Sequence, residues 1–147
     1  MGAGGCPDVG GVYLLLIEVT SPVRLRVGRL GDLTFGGGIY AYVGSARRGL
    51  RPRIERHLRG GKRLFWHIDY LLSSASVSIG EVWVSTEMGE CELAGSLAGS
   101  GLFRFYGGGF GSSDCRCPSH LLRLTGNIDN VLGWFPRIGL RPWKAIL

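Results

Sequence analysis

The feature that most constrains the fold is one apolar run near the start of the chain. Residues Val12–Ile17 form the longest such run, and Glu18 interrupts it. A membrane-spanning helix needs roughly 20 apolar residues, so this run is far too short to cross a bilayer. Its length suits a buried strand instead. We therefore predict a strand over Gly11–Thr20 and no membrane-spanning segment.

Two further runs have the period of a strand. Val23–Val27 alternates between apolar residues and arginine, which is typical of a half-exposed strand, and we expect it to form a hairpin with the first strand. Ile39–Val43 is a second extended run, and its alternation puts Tyr40 and Tyr42 on one face. These runs predict a small sheet.

The next segment has the period of a helix. Leu50, Ile54 and Leu58 recur every four residues, so they predict the buried stripe of a helix over Gly49–Arg59. Glycines at 60–61 end that helix. The later predicted elements are a helix over Phe65–Leu72, a strand over Glu81–Ser85, a helix from Thr86 or Glu87 to Ala98, an extended segment over Leu102–Phe105, a short helix over Pro118–Leu124, and an irregular stretch over the last twenty residues.

The resulting order, β-β-β-α-α-β-α, indicates an α+β fold with a small, mostly antiparallel β-sheet flanked by helices. We predict a leader over residues 1–10, one folded domain over residues 11–125, and a C-terminal extension over residues 126–147 that packs on the same domain. The chain begins without the basic and apolar pattern of a signal peptide, so we expect a cytoplasmic protein. The sequence does not indicate an oligomeric state.

Basic charge is concentrated in one segment. The chain carries a net charge of +6, and residues 47–63 contain seven Arg and one Lys against a single acid, Glu55. Such a segment is either a footprint for phosphate backbones or a solvated basic helix face. The candidate nucleic-acid-binding residues are Arg47, Arg48, Arg51, Arg56, Arg59, Lys62 and Arg63.

Two residues of the predicted basic helix suit phosphate chemistry. Arg53 and His57 are four apart, so their side chains lie on one helix face and can converge on a single phosphate. Arginine offers a planar fork that matches phosphate oxygens, and histidine can move a proton near neutral pH. The later helix with Glu90 and Glu92 supplies carboxylate oxygens for a hard divalent cation.

These residues stand within a larger set of motifs. Gly11-Val12-Tyr13 and Tyr42-Val43-Gly44 precede them, and the chain contains the runs YVGSA, RIERHL, WHIDYLL and FGSSDC. With this set, the chain resembles the GIY-YIG nuclease superfamily, and more specifically its stand-alone Uri-type branch, over residues 11–124. The literal string Gly38-Ile39-Tyr40 shares a strand with Tyr42-Val43-Gly44, whereas the family's two tripeptides lie on neighbouring strands. We therefore assign the first tripeptide to Gly11-Val12-Tyr13.

The resemblance implies a metal-dependent endonuclease that hydrolyses nucleic-acid phosphodiester bonds, with DNA repair or processing as its role and one Mg²⁺ or Mn²⁺ as its cofactor. A nucleic-acid-binding module without catalysis and an RNA-directed nuclease are the alternatives. No membrane partner is expected.

The resemblance also implies the roles of individual residues. Tyr13 would be the general base or would position the attacking water, with Tyr42 assisting from the next strand. Arg53 would stabilise charge on the phosphate, and His57 would lie near it. A glutamate would hold the metal; apolar residues three, four and seven positions after Glu90 favour it over Glu92, the alternative.

The cysteines allow three interpretations. Cys91, Cys115, Cys117 and His120 have the donor types of a zinc site, but only one residue separates Cys115 from Cys117, against the usual two to four. A disulfide between Cys91 and Cys115 or Cys117 is the second interpretation. The sequence favours the third, buried thiols that stay reduced.

Overall fold

The computed structural model describes residues 10–113 and 115–143. The strands are β1 Gly11–Val19, β2 Val23–Arg26, β3 Asp32–Phe35, β4 Gly38–Ala46, β5 Val77–Ser85, β6 Phe103–Phe105, β7 Leu121–Leu124 and β8 Arg141–Pro142. The α-helices are α1 Leu50–Leu58, α2 His67–Leu72, α3 Glu90–Gly99 and α4 Ile128–Trp134. Short 3₁₀ helices cover Gly28–Leu30 and Phe135–Ile138.

The apolar run at the start of the chain is a central strand of the main sheet. The strand order is β6-β7-β4-β1-β5-β8, and the neighbouring strands run antiparallel. Tyr13 lies directly opposite Gly44 of β4, and Leu15 lies opposite Tyr42. This register brings the two predicted tripeptides onto adjacent strands.

Because successive side chains of a strand point to opposite faces, β1 contributes to two hydrophobic cores. Tyr13, Leu15 and Ile17 pack on one face, against buried residues of α1 and α2. Leu14 and Leu16 pack on the other face, against α3 and α4. The α+β class, with an antiparallel sheet between helices, is confirmed.

The predicted partner of β2 was wrong. Instead of forming a hairpin with β1, β2 pairs with β3 in a separate two-stranded sheet, where Arg24 lies opposite Thr34. Both edges of β1 are already hydrogen-bonded, one to β4 and the other to β5. No free edge of β1 remains for β2.

The short helix predicted over Pro118–Leu124 was also wrong. Leu121–Leu124 is a strand that pairs with both β4 and β6. Leu121 is buried in the core below α1, whereas Leu122 is buried in the core that contains α3. Two consecutive leucines thus serve the two faces of the sheet, which a helix at this position would not allow.

Residues 128–143, the described part of the last twenty, are more regular than expected. The Asn127 side chain accepts a hydrogen bond from the backbone N–H of Asp129, which caps the start of α4. Val131 and Phe135 are fully buried in the core around α3. β8 then extends the sheet beside β5. No helix among the described residues is long and apolar enough to span a membrane.

The boundaries of several other elements differ from the prediction. Strand β5 starts at Val77, and helix α3 starts at Glu90 rather than at residue 86 or 87. Helix α1 buries Leu50 and Ile54, but Leu58 is 37% exposed and His57 is buried in its place. The third buried side chain of α1 is therefore a histidine.

Candidate active site

A tyrosine and a histidine form a buried pair below the sheet surface. The Tyr13 hydroxyl lies 2.7 Å from Nε2 of His57, and each side chain is 2% exposed. Burial raises the pKa of Tyr13 to about 12 and lowers the pKa of His57 to about 4. Both groups are therefore neutral at pH 7, and the tautomer of His57 decides which of them donates the hydrogen bond.

A glycine on the neighbouring strand makes room for this tyrosine. A Cβ added at Gly44 would overlap the hydroxyl oxygen and Cζ of Tyr13. The ring of Tyr42, two residues earlier on β4, lies 6.4 Å from the Tyr13 ring. Burial raises the pKa of Tyr42 well above its usual range. Both phenol groups therefore line one cleft in their protonated form.

Two contacts hold Arg53 in the cleft beside these tyrosines. Its Nη1 donates a hydrogen bond of 2.9 Å to the backbone carbonyl of Ser45, and its guanidinium lies 4.5 Å from the centre of the Trp66 ring. A planar cation on an aromatic face is stabilised by the ring's electron density. The two contacts fix the guanidinium at the rim of the cleft, where it is half-buried.

Glu90 reaches the cleft from the first residue of α3. Oε1 accepts a hydrogen bond of 3.2 Å from the Ser45 hydroxyl. Oε2 lies 3.4 Å from Nδ1 of His120, within ion-pair distance but without the alignment of a hydrogen bond. Glu92 is exposed and faces the backbone N–H of Gly89 at the start of α3. Of the two candidate acids, only Glu90 lines the cleft.

These side chains line one cleft of about 320 Å³. Its walls come from Tyr13, Tyr42, Gly44, Ser45, Arg53, Trp66, Glu90, Gly111, Cys115 and His120. A second hollow of about 620 Å³ shares Ser45, Arg53 and Glu90 with it and continues to Arg47 and Arg48. The site therefore opens towards two exposed arginines. His57 is absent from the lining and contacts the cleft through Tyr13.

The other predicted phosphate-binding residues differ in the contacts that they make. Arg56 is not free to bind phosphate, because it forms two hydrogen bonds of 2.8 and 3.0 Å with buried Asp69. Arg51 lies 3.9 Å from Glu55. Lys62 donates to the backbone carbonyl of His57. Arg59 and Arg63 are exposed near the end of α1, away from the hollow that contains Arg47 and Arg48.

The four cysteine and histidine candidates come together beside the cleft. The Sγ atoms of Cys91, Cys115 and Cys117 and a ring nitrogen of His120 all lie within 4.8 Å of one another. The three cysteines are free thiols, without a disulfide. The prediction of buried thiols is wrong for Cys91, which is exposed, and Cys115 and Cys117 are half-buried. The fold brings Cys91 to Cys115 and Cys117, which the spacing of the cysteines did not indicate.

Two residues that support the site, Asp69 and His67, were not among the predicted site residues. Asp69 accepts hydrogen bonds from Arg56 and from the backbone N–H groups of Phe65 and Trp66, so it anchors α2 to α1. His67 accepts a hydrogen bond of 2.8 Å from the backbone N–H of Gly111 in the loop that borders the cleft. An acid three residues into a helix is a capping signal that could have identified Asp69; nothing in the sequence links His67 to Gly111.

The comparisons with known proteins give a family without an activity. A family model described as "Domain of unknown function DUF123" matches residues 12–133. Neither a curated protein nor a solved structure matches the chain. The matched range covers the cleft, the group of cysteines and all but the last residue of helix α4.

Proposed function

The chain belongs to this family of unknown function, and we propose from its cleft that it is a metal-dependent endonuclease that hydrolyses phosphodiester bonds of DNA. One observation carries the proposal. A hydroxyl–imidazole pair, a guanidinium and a carboxylate line or adjoin one cleft, and that cleft continues to Arg47 and Arg48. A phosphodiesterase must transfer a proton, stabilise charge, bind a metal and bind its substrate. Residues of this site suit each of these tasks.

Glu90 fits the binding of a divalent cation. Mg²⁺ keeps several waters and is usually held by one or two carboxylates together with substrate phosphates, so a single protein carboxylate in a polar cleft is a sufficient anchor. Ser45 orients that carboxylate, and Arg53 lines the same cleft. A bound Mg²⁺ or Mn²⁺ would act as a Lewis acid on a phosphate oxygen. Asp69 is excluded as a ligand because Arg56 and two backbone N–H groups occupy it.

Tyr13 and His57 would handle the proton of the attacking water. With His57 in its Nδ1–H tautomer, the Tyr13 hydroxyl would donate to Nε2, and its oxygen would keep lone pairs that can accept a hydrogen bond from water in the cleft. Because His57 is neutral at pH 7, its Nε2 can accept a proton as the water attacks. Tyr13 thus positions the water and passes its proton on, rather than acting as a free phenolate base.

Arg53 would stabilise the negative charge that develops on the phosphate. Its position is fixed before substrate binds, because the Ser45 carbonyl and the Trp66 ring already hold it. A preorganised donor is worth more than a mobile one because no reorganisation is needed during the reaction. Arg47 and Arg48 would bind the adjoining phosphates of the strand.

A cleavage panel tests this proposal. Duplex, branched and single-stranded DNA and matched RNA are incubated with the wild-type chain, with and without Mg²⁺. We expect Mg²⁺-dependent DNA cleavage that falls about 100- to 1,000-fold in Arg53→Ala and in Glu90→Gln, since each loses a charged group of the cleft. Two matched controls, Arg137→Ala and Glu92→Gln, change an exposed arginine and an exposed acid of α3 and should cleave like wild type.

Three results would contradict the proposal. Cleavage that survives both Arg53→Ala and Glu90→Gln would show that the cleft is not the active site. Binding of DNA without cleavage under any divalent metal would indicate a binding module. Cleavage of RNA but not DNA would assign the other substrate.

A further inference from the structure

We propose that Cys91, Cys115, Cys117 and His120 bind one Zn²⁺ ion, in a site that adjoins the cleft and takes its ligands from sulfur and nitrogen rather than from a carboxylate. The group combines three thiols with one imidazole, which are the ligands of structural zinc centres. The proposed nuclease reaction does not use these four residues to bind its divalent cation.

The distances between the donor atoms match a tetrahedral zinc centre. With bonds of about 2.3 Å to sulfur and 2.0–2.1 Å to nitrogen, a regular tetrahedron has sulfur-to-nitrogen edges of roughly 3.6 Å. Nε2 of His120 lies 3.4 Å from Sγ of Cys115 and 3.7 Å from Sγ of Cys91. Since all four donor atoms lie within 4.8 Å of one another, one ion can contact all of them after small side-chain movements.

The backbone holds the ligands in place from three directions. Cys91 is the second residue of α3. The backbone carbonyl of His120 accepts a hydrogen bond from the N–H of Val43 in β4, and its own N–H donates to the carbonyl of Phe110. Cys115 and Cys117 lie in the loop that precedes His120. A bound ion would therefore tie the loop to the start of α3 and to the sheet.

The chemistry of the group favours zinc over the hard cation proposed for the cleft. Thiolates and imidazole suit Zn²⁺, whereas Mg²⁺ prefers oxygen ligands. Four protein ligands also complete the tetrahedron, which is characteristic of a structural rather than a catalytic zinc site. A disulfide is the competing arrangement, but it would use two of three mutually close thiols and leave the third without a partner.

The site also reaches Glu90. With Nε2 of His120 on the ion, its Nδ1 carries the proton and faces Oε2 of Glu90 at 3.4 Å. A carboxylate behind a metal-bound histidine commonly fixes the ring orientation and strengthens metal binding. Glu90 would then support zinc binding through His120 while also facing the cleft. Its role in the cleft rests on the proposed nuclease function. The zinc site does not rest on that function.

Metal analysis of the full chain tests the site. Protein equilibrated with Zn²⁺ and then freed of loosely bound metal should contain about one zinc per chain. Cys117→Ser and His120→Asn should lose it. The matched control is Cys6→Ser, the same substitution at the cysteine outside the described residues, and it should retain the ion. Wild-type protein without zinc, or a Cys117→Ser variant with full zinc content, would overturn the proposal.

Because a ligand variant can fail to fold, cobalt binding to the wild-type chain gives a second measure. One equivalent of Co²⁺ should produce the absorption of a tetrahedral ion with thiolate charge-transfer bands. An octahedral spectrum without thiolate bands would overturn the site. So would a thiol titration of the purified chain, under non-reducing conditions, that finds a disulfide among the three cysteines after zinc treatment.

Glu90→Gln separates this proposal from the nuclease function. The variant should still bind one zinc, with an affinity about 10- to 100-fold lower, because it loses only the carboxylate behind His120. Unchanged zinc affinity would contradict the link between Glu90 and the ion. Loss of DNA cleavage with one zinc still bound is expected from the cleft's own chemistry, whereas zinc binding by a chain that never cleaves DNA would contradict only the nuclease proposal.

Discussion

The Tyr13 hydroxyl owes its position to a residue that has no side chain. Gly44→Ala would place a methyl group on the hydroxyl and Cζ of Tyr13, so the ring must move away from His57. We expect the free energy of unfolding to fall by about 1–3 kcal/mol, as is typical of overpacking, and any cleavage activity to fall at least about tenfold. Chemical denaturation and the cleavage rate measure the two effects.

Gly80→Ala is the matched control for that substitution. Gly80 also lies in a strand of the main sheet, but a Cβ there would meet only the Leu16 carbonyl oxygen, at an ordinary 3.7 Å. The control should cleave at the wild-type rate. If Gly44→Ala and Gly80→Ala behave alike, the steric account of Gly44 is wrong.

At the scale of elements, α1 is held by contacts that acid weakens. His57 binds Tyr13 of the sheet, and Arg56 binds Asp69 of α2. Burial lowers the pKa of His57 from 6.5 to about 4, so the unfolded chain binds more protons than the folded chain between these values. The contribution of His57 to stability should therefore be fully present above pH 6.5 and should be lost as the pH drops towards 4, by roughly 3 kcal/mol at most.

The pKa of Asp69 is also lowered, chiefly by its hydrogen bonds to Arg56 against the effect of burial, so its contribution is lost only below pH 3.8. The loss between pH 6.5 and 4 thus belongs chiefly to His57, with a contribution from His67, whose pKa burial also lowers. Denaturation at several pH values should show a shallower loss in His57→Gln than in wild type. Glu55→Gln, at an exposed position of the same helix, should keep the wild-type slope. Equal slopes for His57→Gln and wild type would refute the assignment.

The elements differ in how far the sequence could predict them. The four-residue period of α1 predicted that Arg53 and His57 share a face, whereas the place of Tyr13 beside them was implied by the family resemblance. The alternation in β2 indicated one buried face but carried no information on its partner, which depends on β4 and β5 having taken both edges of β1. A pair of adjacent leucines in β7 fits either a helix or a strand, and only the sheet decides between them.

The site was predictable to a similar degree and for a similar reason. Arg53 and Glu90 each belong to a helical pattern that states which face they occupy. The meeting of Cys91 with Cys115 and Cys117 depends on the path of a glycine-rich loop, which has no period. Arg56 has the same exposed, basic context in the sequence as Arg48, yet a buried acid from another helix binds it.

For the whole molecule, the net charge of +6 is less informative than where the charge lies. The hollow beside the cleft contains Arg47 and Arg48, so these two arginines should make phosphate contacts. The logarithm of DNA affinity should fall linearly with the logarithm of salt concentration, and each of Arg47→Ala and Arg48→Ala should reduce that slope by about 1. Fluorescence anisotropy across a salt series measures the slope.

Arg137→Ala removes the same charge from an exposed position beside α4, on the opposite side of the sheet from α1. It should leave the slope unchanged. A reduction as large as that of Arg48→Ala would mean that DNA responds to the overall charge and that the hollow has no special part in binding.

The register of β1 against β4 has a consequence for chains related to this one. The cleft depends on a tyrosine that lies opposite a glycine, and Val12 faces the other core and takes no part. The string Gly38-Ile39-Tyr40 matches the family's first tripeptide literally, but Tyr40 packs against Phe35 and Tyr106, away from the cleft. Across evolution, positions 13 and 44 should therefore covary as a pair, while position 12 needs only an apolar residue that fits the other core.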